Sequence, residues 1–242
     1  MRSNQPVTDL LDAPHGKRIS QLLFGEQFAV DKTEGAYSFG QMQCGYQGWL
    51  PSAALAGHRI ASHRISALAT FVYAAPDMKS EVRLRLPFGA KVKVQGSEGL
   101  FANLPEGYVF AAHLSQAPVP DYVVTAERFL GVPYLWGGRS SLGIDCSGLA
   151  QTALHSAGIR APRDSGPQAK SVGEVLGTDA PLRRGDLVFW NGHVGLMQDS
   201  ESLLHATAFS MTVVSEPLTT TVARVKAQGY GEITAIRRLS PH

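Results

Sequence analysis

The chain has 242 residues, 44% of them hydrophobic and 17% charged, enough to bury a sizeable core and to hold more than one domain. Its 22 Lys and Arg balance 20 Asp and Glu with no basic stripe, which argues against nucleic acid as a partner. No apolar run approaches the roughly 20 residues of a membrane span, and two cysteines are too few for a disulfide framework or a structural zinc site.

The first stretch, MRSNQPVTDLLDAPHGKR, lacks the apolar centre of a secretory signal. The expected location is therefore cytoplasmic, or periplasmic if a leader has been removed. A degenerate repeat follows. FGEQFAV (Phe24–Val30) echoes FGAKVKV (Phe88–Val94), and GWLPSAAL (Gly48–Leu55) echoes GYVFAAHL (Gly107–Leu114). The offsets are 64 and 59, so the second copy is shorter by five residues between its landmarks. Both copies contain short alternating runs, such as Lys91 to Val94, broken by Gly and Pro, which predict β-strands. Two small β-barrels of roughly 50 residues each fit this pattern, with Ala56–Ala69 as a linker or an extra strand.

From Tyr122 the pattern changes. VVTAERFLG (Val123–Gly131) has helical spacing and a terminal Gly. The run Ser147–Gly158 puts Leu149, Ala150, Ala153, Leu154 and Ala157 on one helical face. Strand-like runs come next: Asp186–Trp190, His193–Met197, Ser202–Ala208, Met211–Glu216 and Ile233–Leu239. Asn191-Gly192 between the first two is a hairpin signal. Helices followed by an antiparallel meander predict an α+β domain. The expected division is 1–60, 61–118 and 119–242.

Cys146 lies in GIDCSGLA, in the predicted first turn of a helix, where free N–H groups and the helix dipole favour a thiolate. It reads as a nucleophile or as a small buried hydrophobe. A nucleophile needs a base, and the base an orienting group. His15, His58, His63 and His113 belong to the barrel region, and His242 ends the chain. His155 is nine residues along the same helix, roughly 13 Å of rise away, and is expected on a solvated face. His193 opens the second strand of the hairpin, next to Gly195, which is expected to leave room for a substrate. His205 sits in the middle of an apolar strand, where a buried imidazole needs a polar partner. Each histidine alone could be a satisfied core residue; the order Cys, His, His is more informative.

YLWGG (Tyr134–Gly138), DCSGL (Asp145–Leu149), GDLVFW with NGHVGL (Gly185–Leu196) and LLHA (Leu203–Ala206) together resemble the NlpC family of papain-like cysteine peptidases, which act on bacterial cell-wall peptides. The resemblance implies helices packed on an antiparallel sheet, Cys146 as nucleophile, His193 as base and His205 as the orienting residue, with no metal or cofactor. The first 115 residues resemble the paired bacterial SH3-like domains found ahead of some of these peptidases. That layout implies hydrolysis of the γ-D-Glu to diamino acid bond of L-Ala-γ-D-Glu-diaminopimelate, with a free amino group required on L-Ala. It also implies a substrate pocket built from Asp145, Ser147, Tyr134 and Trp136, with Asp164 and Ser165 for the D-Glu, Tyr46 as a closing wall, and Glu26 beside Asp145 for the ammonium. Two other readings stand beside this one. An amidase or acyltransferase on another γ-glutamyl or lipid amide would keep the fold and change the reaction, and a wall-binding protein would need no reaction. Cys44 has no assigned role, and the sequence is silent on oligomeric state.

Overall fold

The computed structural model describes residues 1–229 and 231–239 of the chain, so His242 lies outside the described residues. The chain forms two compact units: Met1–Ala117 with Arg139–Leu142, and Pro118–Gly138 with the rest from Gly143.

The first unit is all β, and its repeat is topological. In the first half the strands Val7–Leu11, Arg18–Leu23, Phe28–Glu34, Tyr37–Met42 and Gln47–Pro51 form one antiparallel sheet, in the spatial order second, first, fifth, fourth, third. The second half repeats that order with Ala69–Tyr73, Val82–Pro87, Gly96–Glu98, Phe101–Leu104 and Gly107–Phe110. Each half then closes with a single 3-10 turn, Ser52–Ala54 or Ala111–His113, and a two-residue strand. That last strand pairs with one ahead of the sheet: Leu55–Ala56 with Arg2–Ser3, and Leu114–Ser115 with His63–Ile65. The stretch expected to be a linker or an extra strand thus contains a strand. The Phe-Gly landmark joins the halves. Phe24 packs in the core of the second half with Ile65, Val72 and Leu86, and its carbonyl accepts from Lys91 N–H at 2.8 Å. Gly25, at φ 74°, comes so close that a Cβ there would lie 1.9 Å from the Lys91 carbonyl oxygen.

The second unit is α+β. Its helices are α1 (Tyr122–Glu127), α2 (Cys146–Ser156), α3 (Ser165–Ser171) and α4 (Leu218–Ala227). The strands of its main sheet are β1 (Glu174–Leu176), β2 (Leu187–Trp190), β3 (His193–Met197), β4 (Ser202–Thr207), β5 (Thr212–Pro217) and β6 (Ala235–Arg238), in the fully antiparallel order β1-β6-β2-β3-β4-β5. Helix α2 contacts β3 and β4, and its apolar face, with Leu149, Ala150, Ala153 and Leu154, is fully buried. The Asn191-Gly192 turn joins β2 to β3 in two residues, with Trp190 opposite His193 and Gly192 at φ 77°. Helix α1 stops at Glu127, short of Gly131. Beyond it the chain tightens into bonds three residues back, Phe129 N to Ala126 O at 2.9 Å and Leu130 N to Glu127 O at 3.1 Å, which carries Phe129 into the core. The predicted order of helices and then strands lacks three elements found here: α3, β1, and α4 after the meander. Among the described residues no helix is long and apolar enough to cross a membrane.

Candidate active site

Asp145 shapes the entry to α2. It takes an extended backbone and its Oδ1 accepts from Gly148 N at 2.7 Å, a standard N-cap bond. Gly148 must be glycine because a Cβ there would lie 2.3 Å from the Gly138 carbonyl oxygen. Cys146 follows the cap as the first helical residue, as its sequence position predicts. Its Sγ contacts the Gly192 carbonyl oxygen at 4.0 Å, so the sulfur lies against the hairpin turn that leads directly into His193.

The two histidines meet across adjacent strands. The β3–β4 register pairs Leu196 with Leu204 and Met197 with Leu203, so its continuation sets Gly195 opposite His205. His193 is one diagonal step away on the same face, within reach of a long side chain. The contact is direct: His193 Nε2 and His205 Nδ1 are 2.7 Å apart, and the His205 side chain is 1% exposed. Gly195 does not open room for a substrate, because its missing Cβ would lie 2.7 Å from Leu203 Cδ1. The space is already filled by leucine. His155 is not on a solvated face either; it is half-buried with Nε2 3.2 Å from the Ala161 carbonyl oxygen.

Electrostatics leave the resting pair neutral. Burial pushes the Cys146 thiol up to about 12, with the Asp145 charge adding to it; the Val194 and Ser147 N–H groups and Arg163 pull the other way and lose. Burial also brings His193 down to about 3, with His205 and Arg224 contributing. A helix N-terminus alone therefore does not make this cysteine a standing thiolate. In a Cys44→Ser background, where one thiol reports, the rate of alkylation of Cys146 by iodoacetamide is expected to rise about tenfold per pH unit from pH 7 through 10. The sign follows from the raised pKa: the thiolate is the minor form throughout, and its fraction grows with pH. A plateau below pH 8 would show a thiolate already held at neutrality.

The Asp145 carboxylate, which the sequence offers to a substrate ammonium, is committed inside the protein. Oδ1 accepts from Gly148 N, from Ser147 Oγ at 3.3 Å and from Arg163 Nη1 at 3.0 Å. Oδ2 accepts from Gly137 N at 2.8 Å and from Arg163 Nη2 at 2.6 Å. Arg163 also donates to Ser147 Oγ at 2.9 Å and to the Gly138 carbonyl. The two charges form a forked, buried pair, which ties Gly137 and Gly138 to Asp145 and Ser147. The sequence pattern points to Asp164 and Ser165 in PRDS and not to Arg163 between Pro162 and Asp164, yet Arg163 is the cation that pairs with Asp145. Asp164 is half-buried at the N-cap of α3 and Ser165 is buried as its first residue. Tyr134 is half-buried, and burial together with nearby Cys146 and Asp145 makes its hydroxyl a weaker acid. Trp136 is 69% exposed.

Glu26 and Tyr46 belong to the first unit. Glu26 accepts from Arg139 Nη1 and Nη2 at 3.0 and 3.3 Å and from Leu23 N at 2.9 Å. Burial would raise its pKa, but Arg139, Leu23 N–H and Lys91 outweigh that and hold it below the usual carboxylate range. It therefore already has a cation partner. Tyr46 packs with Cys44 against the cluster of Leu10, Leu22, Phe28, Met42 and Leu50. That contact supplies the packing role for Cys44.

Comparison with known proteins bears on this arrangement. Residues 131–229 match the NlpC/P60 family, and residues 10–55 match the bacterial dipeptidyl-peptidase Sh3 domain. A protein named gamma-D-glutamyl-L-lysine dipeptidyl-peptidase from Bacillus subtilis is 28% identical over 248 residues, covering 90% of this chain and 80% of its own. One of the same name from Bacillus cereus is 32% identical over 151 residues, covering 57% of this chain and only 41% of its own length. The crystal structure of an NlpC/P60 family protein from Bacillus cereus superposes with a TM-score of 0.83 over 99% of both chains at 21% identity, and so shares the fold.

Proposed function

The chain carries an NlpC/P60 domain behind a bacterial SH3 domain, and on that premise we propose that it hydrolyses the γ-D-glutamyl to diamino acid bond of peptidoglycan stem peptides. At the level of reaction class it is a cysteine peptidase acting on peptides of this kind. The observation that carries the proposal is the direct His193–His205 contact, with His193 following at once the turn residue Gly192 that the Cys146 sulfur touches. We read residues 61–118 as a second SH3-like domain, supported by the strand order it shares with the first half.

In the proposed reaction Cys146 transfers its proton to His193 as the sulfur attacks the γ-amide carbonyl. The oxyanion develops at the start of α2, where the Cys146 backbone N–H is the candidate donor. His193 then returns the proton to the leaving amine, and the C–N bond breaks to leave a thioester. A water molecule, deprotonated by His193, hydrolyses the thioester and restores the thiol. Tyr134, Ser147, Trp136, Asp164 and Ser165 are the proposed substrate contacts in this unit. Preference for a free N-terminal amine is the finest part of the proposal, and Asp145, Tyr46 and Glu26 are the residues that the sequence offers for it. Arg139 balances Glu26 and Arg163 balances Asp145, so an ammonium at either carboxylate must share it with an arginine.

The diamino acid is proposed to be diaminopimelate, whereas the relatives above are named for lysine. The proposed setting is the cytoplasm, where such a reaction would recycle cell-wall peptides. A panel of L-Ala-γ-D-Glu peptides, with diaminopimelate or Lys in third position and a free or acetylated amino end, tests each part by mass spectrometry. Release of L-Ala-D-Glu is expected from the free diaminopimelate peptide. Cleavage at another bond would remove the proposed specificity, and equal turnover of free and acetylated peptides would remove the amine site.

A further inference from the structure

The line of hydrogen bonds through the site does not stop at His205. Its Nε2 lies 2.8 Å from Glu216 Oε1. The β4–β5 register explains the reach: His205 pairs with Val214, so Glu216 is the diagonal neighbour on the same face. Glu216 also accepts from Thr221 Oγ1 at 3.0 Å and from Arg224 Nη1 at 2.9 Å, while Arg224 Nη2 bonds to Oε1. Thr221 and Arg224 both come from α4, the helix that sequence reasoning did not predict. Residues 193, 205, 216 and 224 therefore form one continuous chain from the base to an arginine whose side chain is only 15% exposed.

An ionised carboxylate only accepts hydrogen bonds. His205 must then carry its proton on Nε2, and a neutral imidazole with Nε2–H has a bare Nδ1. That bare nitrogen can only accept, so His193 supplies the proton from its Nε2. The remaining ring nitrogen of His193, Nδ1, is left with a free lone pair, the state a general base requires. The reversed chain would put a proton on His193 Nδ1 and leave no base there.

We infer that Glu216 is a positioning residue that sets the tautomers of both histidines, and so makes Nδ1 of His193 the basic nitrogen. The inference rests on the reading of Cys146 and His193 as nucleophile and base. Arg224 keeps Glu216 in the accept-only state: its hydrogen bonds, against the opposing effect of burial, bring the carboxyl down to about 2. Both histidines are themselves shifted toward the neutral form, His205 by burial first and His193 likewise. The chain of tautomers is therefore the resting arrangement at neutral pH.

The test has a direct readout and a kinetic one. Long-range proton–nitrogen correlation spectra of histidine-labelled wild-type protein are expected to show protonated Nε2 and bare Nδ1 on both His193 and His205. A protonated Nδ1 on His205 would overturn the inference without any variant. In Glu216→Gln the amide oxygen is drawn to Arg224 and the NH2 group faces His205, which forces the reversed tautomers. The expected result is a fall in kcat of about 10²-fold or more with KM within about threefold, and inverted nitrogen signals. Unchanged kcat and unchanged tautomers would overturn it. Cys146→Ala, measured beside it, separates the two readings. Hydrolysis that survives in Cys146→Ala sinks the underlying mechanism, whereas a dead Cys146→Ala with a fully active Glu216→Gln sinks this inference alone.

Discussion

Cys146→Ala is expected to lower peptide hydrolysis by about 10⁴-fold or more, to the level of binding and oxyanion stabilisation alone. The size follows from covalent chemistry: without Sγ no thioester forms, and the two easier steps collapse into one direct attack by water on an amide. The fold has little reason to respond. Cys146 is buried as a neutral thiol, and the α2 cap is made by Asp145 and Gly148, not by the sulfur. The thermal midpoint should therefore stay within a few degrees while turnover disappears. His193→Ala should cost nearly as much alone, and adding it to Cys146→Ala should cost little more, because residues that act as one unit are strongly non-additive. Turnover within tenfold of wild type in Cys146→Ala, measured by product release from the free stem peptide, would remove the covalent mechanism.

The largest expected effect on stability lies 17 residues further along the chain, at Arg163. Its side chain is 1% exposed and that of its partner Asp145 is 7% exposed. Removing one member of such a pair leaves the other charge buried and uncompensated, at a cost of about 3–5 kcal/mol. For Arg163→Met this corresponds to a fall in thermal midpoint of roughly 6–20 °C. The comparison within the same chain is Lys32 with Glu34, whose side chains are 54% and 55% exposed. Lys32→Met should change stability by less than about 1 kcal/mol, because solvent screens that pair. A double variant, Asp145→Asn with Arg163→Met, should be less destabilised than the sum of the single changes, since each removes the charge that the other leaves stranded. Denaturant unfolding of the four proteins closes the cycle. Strict additivity would show that the pair contributes nothing beyond packing.

Much of the fold was legible because it is written in local pattern. Alternation and Gly breaks marked the strands of the first unit, and the 64- and 59-residue offsets marked the repeat that the shared strand order displays. The run from Cys146 reads as a helix because five apolar residues share one face, and His193–Met197 is legible to the residue because Asn191-Gly192 fixes where that strand begins. What escaped depends on residues far apart in sequence. Helix α4 reads LTTTVARVKA, whose β-branched residues argue against a helix locally; its place against β5 overrides that propensity. Glu216 looks like the polar end of a strand, and Arg224 like a surface cation. Only the register of β4 against β5 and the return of α4 bring them to His205. Asp145 is legible as a cap, but its neutralising partner is 18 positions away and becomes visible only in three dimensions.

Phe24 has a consequence of its own. It is encoded in the first copy of the repeat and seated in the core of the second. Duplication copies an architecture, but a crossed-over side chain ends the autonomy of the copies. Each half is missing something that the other holds, one a filled centre and the other a buried place for an aromatic ring. Recombination that exchanges a single half must therefore bring a matching Phe-Gly corner with it, and lineages that keep this chain should inherit the two halves together or lose both.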